Sequence, residues 1–280
     1  MTNVHEYIQA ISRDVDKLAR RHLEHEQQAI LDWLTLNDYS LQQGDLFERR
    51  QEGTGEWLLN SCEFQEWVNQ AKHTMYCPGI PGAGKTIATS IVVGYLQKRF
   101  LNDTSTGISY IYCNFRRQQE QNPLDLLSSL LRLFVQGQPS LPECVRQLYE
   151  HHKPKRTRPT LEDILDILQF VITTYSRAFI IVDALDECTT SNGVRSKFMS
   201  ALFHLQAKTS ANLFVTSRFI PDLEDEFKRL GALILKIHAS DQDLWRYLNG
   251  HRARLPSFLI ESPDLEARVM SAIVTAAEGM

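Results

Sequence analysis

The sequence predicts an α/β protein: a five-stranded parallel sheet with helices on both faces, a helical N-terminal extension and the start of a C-terminal helical subdomain. Three observations carry this. Apolar runs alternate with helical patterns from about residue 70 to 240, the order expected of a parallel sheet with crossover helices. "AFIIVD" at 178–183 is continuously apolar up to its aspartate, as in a strand buried on both faces. "CPGIPGAGKT" at 77–86 sets three glycines and two prolines between an apolar strand and an amphipathic helix.

Residues 3–35 have a helical pattern, in which Val4, Ile8, Ile11, Val15 and Leu18 form a short heptad seam. His22 and His25 continue the spacing, as a pH-sensitive or metal-binding pair or as the polar end of the seam. Residues 36–60 read as irregular, with two glycines in "EGTGEWLLN" ahead of an apolar patch. Ser61 caps a helix with Phe64, Trp67 and Val68 on one face. "TMYC" (74–77) is the first strand, and Ile87, Ile91 and Tyr95 mark the helix after the glycine-rich loop.

"GISYIYCNF" (107–115) is the second strand, followed by helices near 123–136, 141–150 and 161–175. After "AFIIVD" come a helix at about 195–207, the strand "NLFVTSR" (212–218), a short acidic helix holding Asp222, and "ALILKIH" (232–238) as the fifth strand. Ser240 and Asp243 make a capping box for "QDLWRYLNGH", and Ser262-Pro263 opens the last helix. The expected division is a helical extension over 1–69, a core over 70–240 and the beginning of a helical subdomain, cut short, over 241–280.

The 280 residues are 43% hydrophobic and 23% charged with a net charge of -4, a globular composition that calls for no polyanionic partner. The basic stretch "HHKPKRTRP" (151–159) has two prolines and no interleaved aromatics, so it reads as a solvated loop rather than a nucleic-acid or lipid patch. Five scattered cysteines without a C-x-x-C pair suit reduced thiols and a cytoplasmic protein. No apolar run approaches ~20 residues, so no membrane partner is expected.

"GIPGAGKT" matches G-x-x-x-x-G-K-[ST], with Gly79, Gly84, Lys85 and Thr86 in the defining places. Such a loop carries little side chain because backbone N–H groups must converge on an anion, here through Gly79, Ile80, Pro81, Gly82, Ala83 and Gly84. The helix beginning at Lys85 adds its positive dipole end. Lys85 supplies a charge at the β and γ phosphates, and Thr86 offers Mg²⁺ a hard oxygen. Asp183, ending the apolar run at the C-terminal end of a strand expected to neighbour the P-loop strand, is the second metal ligand. Asp186 and Glu187 follow as acids able to orient or deprotonate the attacking water, or as ordinary helix-start acids. Thr216, Ser217 and Arg218 end the next strand near the γ-phosphate, where hydroxyls or the Arg218 guanidinium could tell a triphosphate from a diphosphate. The fold class is thereby a P-loop NTPase three-layer sandwich.

"GIPGAGKT", "FIIVDALDEC" and "NLFVTSR", in that order, resemble the NACHT-type signal-transduction NTPases. Ala184 directly after the metal aspartate, with Asp186-Glu187 further on, is the telling detail, because motor ATPases usually place a second acid there. "EGTGEWLLNSCEFQEWV" and "SDQDLWRYLNGHRARLPSF" are similar to the fungal branch, whose module is called nephrocystin-like N-terminal. The resemblance covers about residues 28–280. It implies an ATP- or GTP-binding, Mg²⁺-dependent switch of self-recognition or innate immunity, set between an effector and ankyrin, WD40 or TPR repeats and self-associating on activation. It also implies a winged-helix region that these residues do not include. A non-hydrolysing scaffold is the alternative, and a P-loop kinase or motor ATPase fits less well. The absence of an N-K-x-D motif leans toward ATP.

Overall fold

The computed structural model describes residues 2–277, and the side chains of these except at 2–14, 19, 20, 118–120 and 192. The chain opens with α1 (Thr2–Leu34), α2 (Ser40–Arg49), α3 (Glu56–Leu59) and α4 (Cys62–Asn69). Strand β1 (Thr74–Pro78) leads into α5 (Lys85–Arg99), β2 (Thr106–Tyr112), α6 (Pro123–Gln136), α7 (Glu143–His152) and α8 (Leu161–Thr173). Then come β3 (Arg177–Asp183), α9 (Val194–Lys208), β4 (Ala211–Ser217), α10 (Pro221–Arg229) and β5 (Leu233–Ile234). The chain closes with α11 (Asp241–Gly250), α12 (Ser257–Ile260) and α13 (Pro263–Ala277).

All five strands pair in parallel in the order β2-β3-β4-β1-β5. The predicted α/β architecture is therefore the observed one. β3 and β4 are buried along nearly their whole length, which is why their sequences lack the alternation of a one-sided strand. On one face Ser109 of β2 donates to the Leu130 carbonyl of α6, and α6 packs on α8 and α9. On the other face Tyr112 of β2 donates to Gln43 of α2, while α5 crosses β2, β3 and β4. Trp67 of α4 is fully buried against Phe179 and Phe214, and its indole N–H donates to the Leu213 carbonyl at 2.8 Å.

Four sequence expectations are corrected. Residues 36–60 are not irregular, because they hold α2 and α3. Their polar surface hides the helical period, and α2 is held by tertiary contacts: Phe47 closes over Gly94 of α5, and buried Gln43 donates to the Ser90 carbonyl. The fifth strand shrinks from 232–238 to Leu233–Ile234, although Leu235 and Ile237 still donate to the Tyr76 and Pro78 carbonyls. The Asp183 strand is not the immediate neighbour of the P-loop strand, because β4 lies between them. Ser240 accepts from the Asp243 N–H as predicted, but the Asp243 carboxylate reaches across to Gly55 and Trp57 instead of closing the box.

The C-terminal end of α1 belongs to the core: Ile30, Leu31 and Leu34 are buried. Arg132 of α6, itself buried, donates to Asp32 and to the Thr35 carbonyl at 3.0 and 2.9 Å. Further up α1, Val15 and Leu18 are 57% and 65% exposed. The side chains of Val4, Ile8 and Ile11, the other seam residues, lie outside the described residues. Among the described residues no helix is long and apolar enough to cross a membrane.

Candidate nucleotide site

The glycine-rich loop leaves β1 at Pro78 and enters α5 at Lys85. Gly79 donates to the Ser217 carbonyl at 3.0 Å, and a Cβ on it would come within 2.6 Å of the Ile237 carbonyl oxygen. Only glycine fits there, so the loop is pinned against both neighbours of β1. Gly84, the residue before α5, has φ of 85°, in the left-handed region that costs glycine little. It brings no capping side chain, so the first N–H groups of α5 open onto the loop, as an anion site requires.

Lys85 is half-buried and folds back over the loop, donating to the Gly79 and Ile80 carbonyls at 2.8 Å each. Burial lowers its pKa from the ordinary lysine value, opposed by the charges of Asp186 and Asp183.

Asp183 is 2% exposed. Thr86 donates to its Oδ2 at 2.7 Å, and Thr89 and Thr216 donate to its Oδ1 at 2.9 and 2.7 Å. Burial raises its pKa, while the hydroxyls of Thr216, Thr86 and Thr89 counter the shift. It forms no ion pair among the described residues. A carboxylate and a hydroxyl in contact, both hard oxygens, suit Mg²⁺, which takes one or two carboxylates and leaves the rest to water and phosphate. The residues present therefore fit the metal.

Thr89 and Thr216 are the site residues the sequence reading missed or misplaced. Thr89 gave no motif signal. Thr216, expected as a phosphate sensor, is fully buried and serves Asp183 and the Ala184 N–H instead. Ser217 is turned inward too, bonded to the Tyr76 hydroxyl at 2.7 Å.

After Asp183, Ala184 has φ of 51° and turns the chain into the short helical turn Leu185–Glu187. Glu187 accepts from the Phe115 N–H at 3.1 Å. Asp186, 3% exposed in its side chain, accepts from Arg218 twice: from the backbone N–H at 2.9 Å and from Nε at 2.5 Å. That partner raises the Arg218 pKa above its ordinary value. Buried Cys113 and Cys188 touch at 3.0 Å and brace the end of β2 against this turn. All five cysteines are free thiols.

Lys85, Thr86, Phe115, Asp186, Glu187 and Arg218 line a polar cleft of about 410 Å³, with Asp183 buried behind Thr86. A second cleft of about 260 Å³ lies across the loop and is walled largely by Trp57, Ile91, Ile237, His238, Leu244 and Tyr247. Gly82, Gly84 and Ile87 line both. Asp243 fastens the walls of the second cleft, accepting from the Gly55 N–H at 3.0 Å and the Trp57 indole N–H at 3.1 Å. Trp57 and His238 have ring centroids 5.2 Å apart. Gly53 and Gly55 have φ of 79° and 76°.

The chain matches the family described as "Nephrocystin 3, N-terminal" over residues 53–218. It is 28% identical over 183 residues to the vegetative incompatibility protein HET-E-1 of Podospora anserina, a match that covers 61% of this chain and 13% of that protein. Among solved structures, the Aeropyrum pernix ORC1 protein in complex with DNA aligns with a TM-score of 0.44 at 15% identity, covering 89% of this chain and 63% of that one. Domain III of the Thermotoga maritima replication initiation protein DnaA aligns with a TM-score of 0.41 at 15% identity, covering 81% and 85%. At this level of likeness neither structure bears on function.

Proposed function

The chain belongs to the nephrocystin 3 N-terminal family, and from that premise we propose that this P-loop NTPase domain is a signal-transduction switch. It binds ATP, or GTP, with Mg²⁺, hydrolyses it slowly and passes its state on by self-association. The observation that carries the reading is the pair of clefts meeting at Gly82, Gly84 and Ile87. One is lined by the charged groups Lys85, Asp186, Glu187 and Arg218, and the other holds Trp57 and Tyr247 on a mostly apolar surface alongside Arg49, Arg50 and Asp243. A ligand with a polyanionic end and a flat, apolar end spans both, and a nucleotide has that shape.

In this reading the loop residues 79–84, Lys85 and the open start of α5 hold the phosphates. Thr86 and Asp183 would hold the Mg²⁺, which would supply charge neutralisation for the phosphates. Thr89 and Thr216, which donate to Asp183 Oδ1, would keep the carboxylate oriented with a metal bound. Glu187 and Asp186 stand as the acids beside the water's approach, with Arg218 reading the terminal phosphate. Residues 70–240 form the NTPase core. The likeness to HET-E-1, a vegetative incompatibility protein of which the match covers 13%, supports a place in a longer self-recognition protein, and effector and repeat domains are the part that the sequence resemblance implies. The exposed Val15 and Leu18 of α1 are the surface assigned to self-association. One observation favours a non-hydrolysing scaffold as the second reading: Asp186 is bonded to Arg218 and Glu187 to the Phe115 N–H.

The direct test is to purify the chain, denature it and identify any released nucleotide, then follow turnover. A switch is expected to hydrolyse at below about one per minute, orders beneath the typical ~1–1000 per second of enzymes. Added triphosphate should shift it to larger species on sizing. Brisk hydrolysis by a strictly monomeric chain would favour an ordinary ATPase.

Asp183→Asn gives a second expected result. Because Asp183 is assigned to the metal and not to phosphate, nucleotide affinity should fall about tenfold in Mg²⁺ and by less than about twofold in EDTA. Calorimetric titrations under both conditions check this, and equal losses would make Asp183 structural.

A further inference from the structure

The geometry points to Asp186 as a residue that competes with the third phosphate for Arg218, and so sets how strongly the site prefers a triphosphate over a diphosphate. This rests on the nucleotide reading above and deepens it. Asp186 is read here as a discriminating, positioning group.

Among the described residues, Lys85 and Arg218 are the cations lining the polar cleft. Lys85 is fixed over the loop by two carbonyls at 2.8 Å, a position suited to phosphates that a diphosphate and a triphosphate share. Arg218 stands outside that cradle, at the tip of β4 and half-exposed. Besides Lys85, it is the cation in this cleft available to whatever a triphosphate adds.

Arg218 is already engaged. Asp186 grips it through the backbone N–H and through Nε, at 2.9 and 2.5 Å. The carboxylate is almost wholly covered, while the guanidinium is 51% exposed. The ion pair is thus lopsided: its negative member is buried in the turn after β3, and its positive member faces the cleft.

Two consequences follow from Coulomb's law. An incoming terminal phosphate must share or take Arg218 from Asp186, and it must approach a fixed negative charge in the cleft wall. Both oppose the triphosphate and leave a shorter, diphosphate ligand nearly untouched. Removing the Asp186 charge while keeping its shape should therefore tighten triphosphate binding. A plain catalytic base would leave affinity unchanged on the same substitution. A plain structural carboxylate would weaken both ligands together.

The test titrates the full chain, in Mg²⁺, with a β,γ-methylene triphosphate and with the diphosphate of the same base. Asp186→Asn retains an oxygen that can accept from the Arg218 N–H. It is expected to bind the triphosphate analogue about tenfold more tightly, the effect of roughly one charge at the edge of a solvated cleft. Its diphosphate affinity should stay within about twofold of wild type. Arg218→Ala, at an exposed position, keeps the proposal testable if Asp186→Asn does not fold. It should lose about tenfold for the analogue and leave the diphosphate within about twofold. Asp186→Asn leaving the analogue unchanged, or shifting both ligands alike, overturns the competition, as does Arg218→Ala weakening both equally. Wild-type chain that binds neither ligand overturns the nucleotide reading itself, a separate and distinguishable failure.

Discussion

Lys85→Ala is expected to weaken nucleotide binding about a thousandfold while the fold persists. A unit charge about 4 Å from a phosphate oxygen, at an effective dielectric near 20, contributes roughly 4 kcal/mol, and each 1.4 kcal/mol is about a factor of ten in affinity. Lys85 reaches that place by lying across the loop, tied to the Gly79 and Ile80 carbonyls. Those two bonds are also what the substitution costs the empty protein, roughly 1.5–3 kcal/mol each as an upper bound and less at a half-exposed site. The melting temperature should fall by only several degrees in a chain of this size. A calorimetric titration beside a thermal melt separates the two effects. Unchanged affinity would remove the P-loop assignment, and a lost melting transition would make Lys85 a structural residue.

Glu187→Gln is expected to keep binding and to slow hydrolysis by about a hundredfold to a thousandfold, within the range of a lost general base. The glutamine amide would still present an oxygen to the Phe115 N–H that Glu187 now accepts from, so the turn after β3 should hold its shape. What disappears is the basic oxygen beside Thr86 and Asp186 in the cleft. Single-turnover hydrolysis, followed by sizing of the trapped triphosphate form, measures this. Asp186→Asn slowing the chemical step by as much, with Glu187→Gln near wild type, would exchange the two roles. No effect from either would favour the scaffold reading.

The parallel sheet, the loop and the order of its elements were legible in the sequence because they are local. A continuous apolar run such as Phe179–Val182 has few structural options, and the loop's glycines advertise a conformation that side chains resist. The places of Asp183, Lys85 and Thr86 were legible for the same reason: they sit at one strand end and one helix start. The helix α2 was not, since its mostly polar sequence gives no periodic stripe and its fixing contacts, Phe47 on Gly94 and Gln43 on the Ser90 carbonyl, come from a distant helix.

The apolar cleft was decided entirely by tertiary structure. Its walls come from the N-terminal extension through Trp57, from the loop through Gly82 and Gly84, and from α11 through Leu244 and Tyr247. Asp243 closes them across 188 positions of chain to Gly55, and no window of sequence contains that hydrogen bond. The same holds for the threonines on Asp183, which meet it from α5 and β4, and for Arg218, which β4 delivers to Asp186. Alone, the sequence determined that a glycine-rich loop joins a strand to a helix and that an aspartate ends a buried strand, because local backbone conformation and apolar patterning suffice for that. Only the packing of β4 between β1 and β3 decided which hydroxyls hold the aspartate and which acid holds the arginine. Burial and hydrogen-bond partnership depend on what the rest of the chain brings within 3 Å.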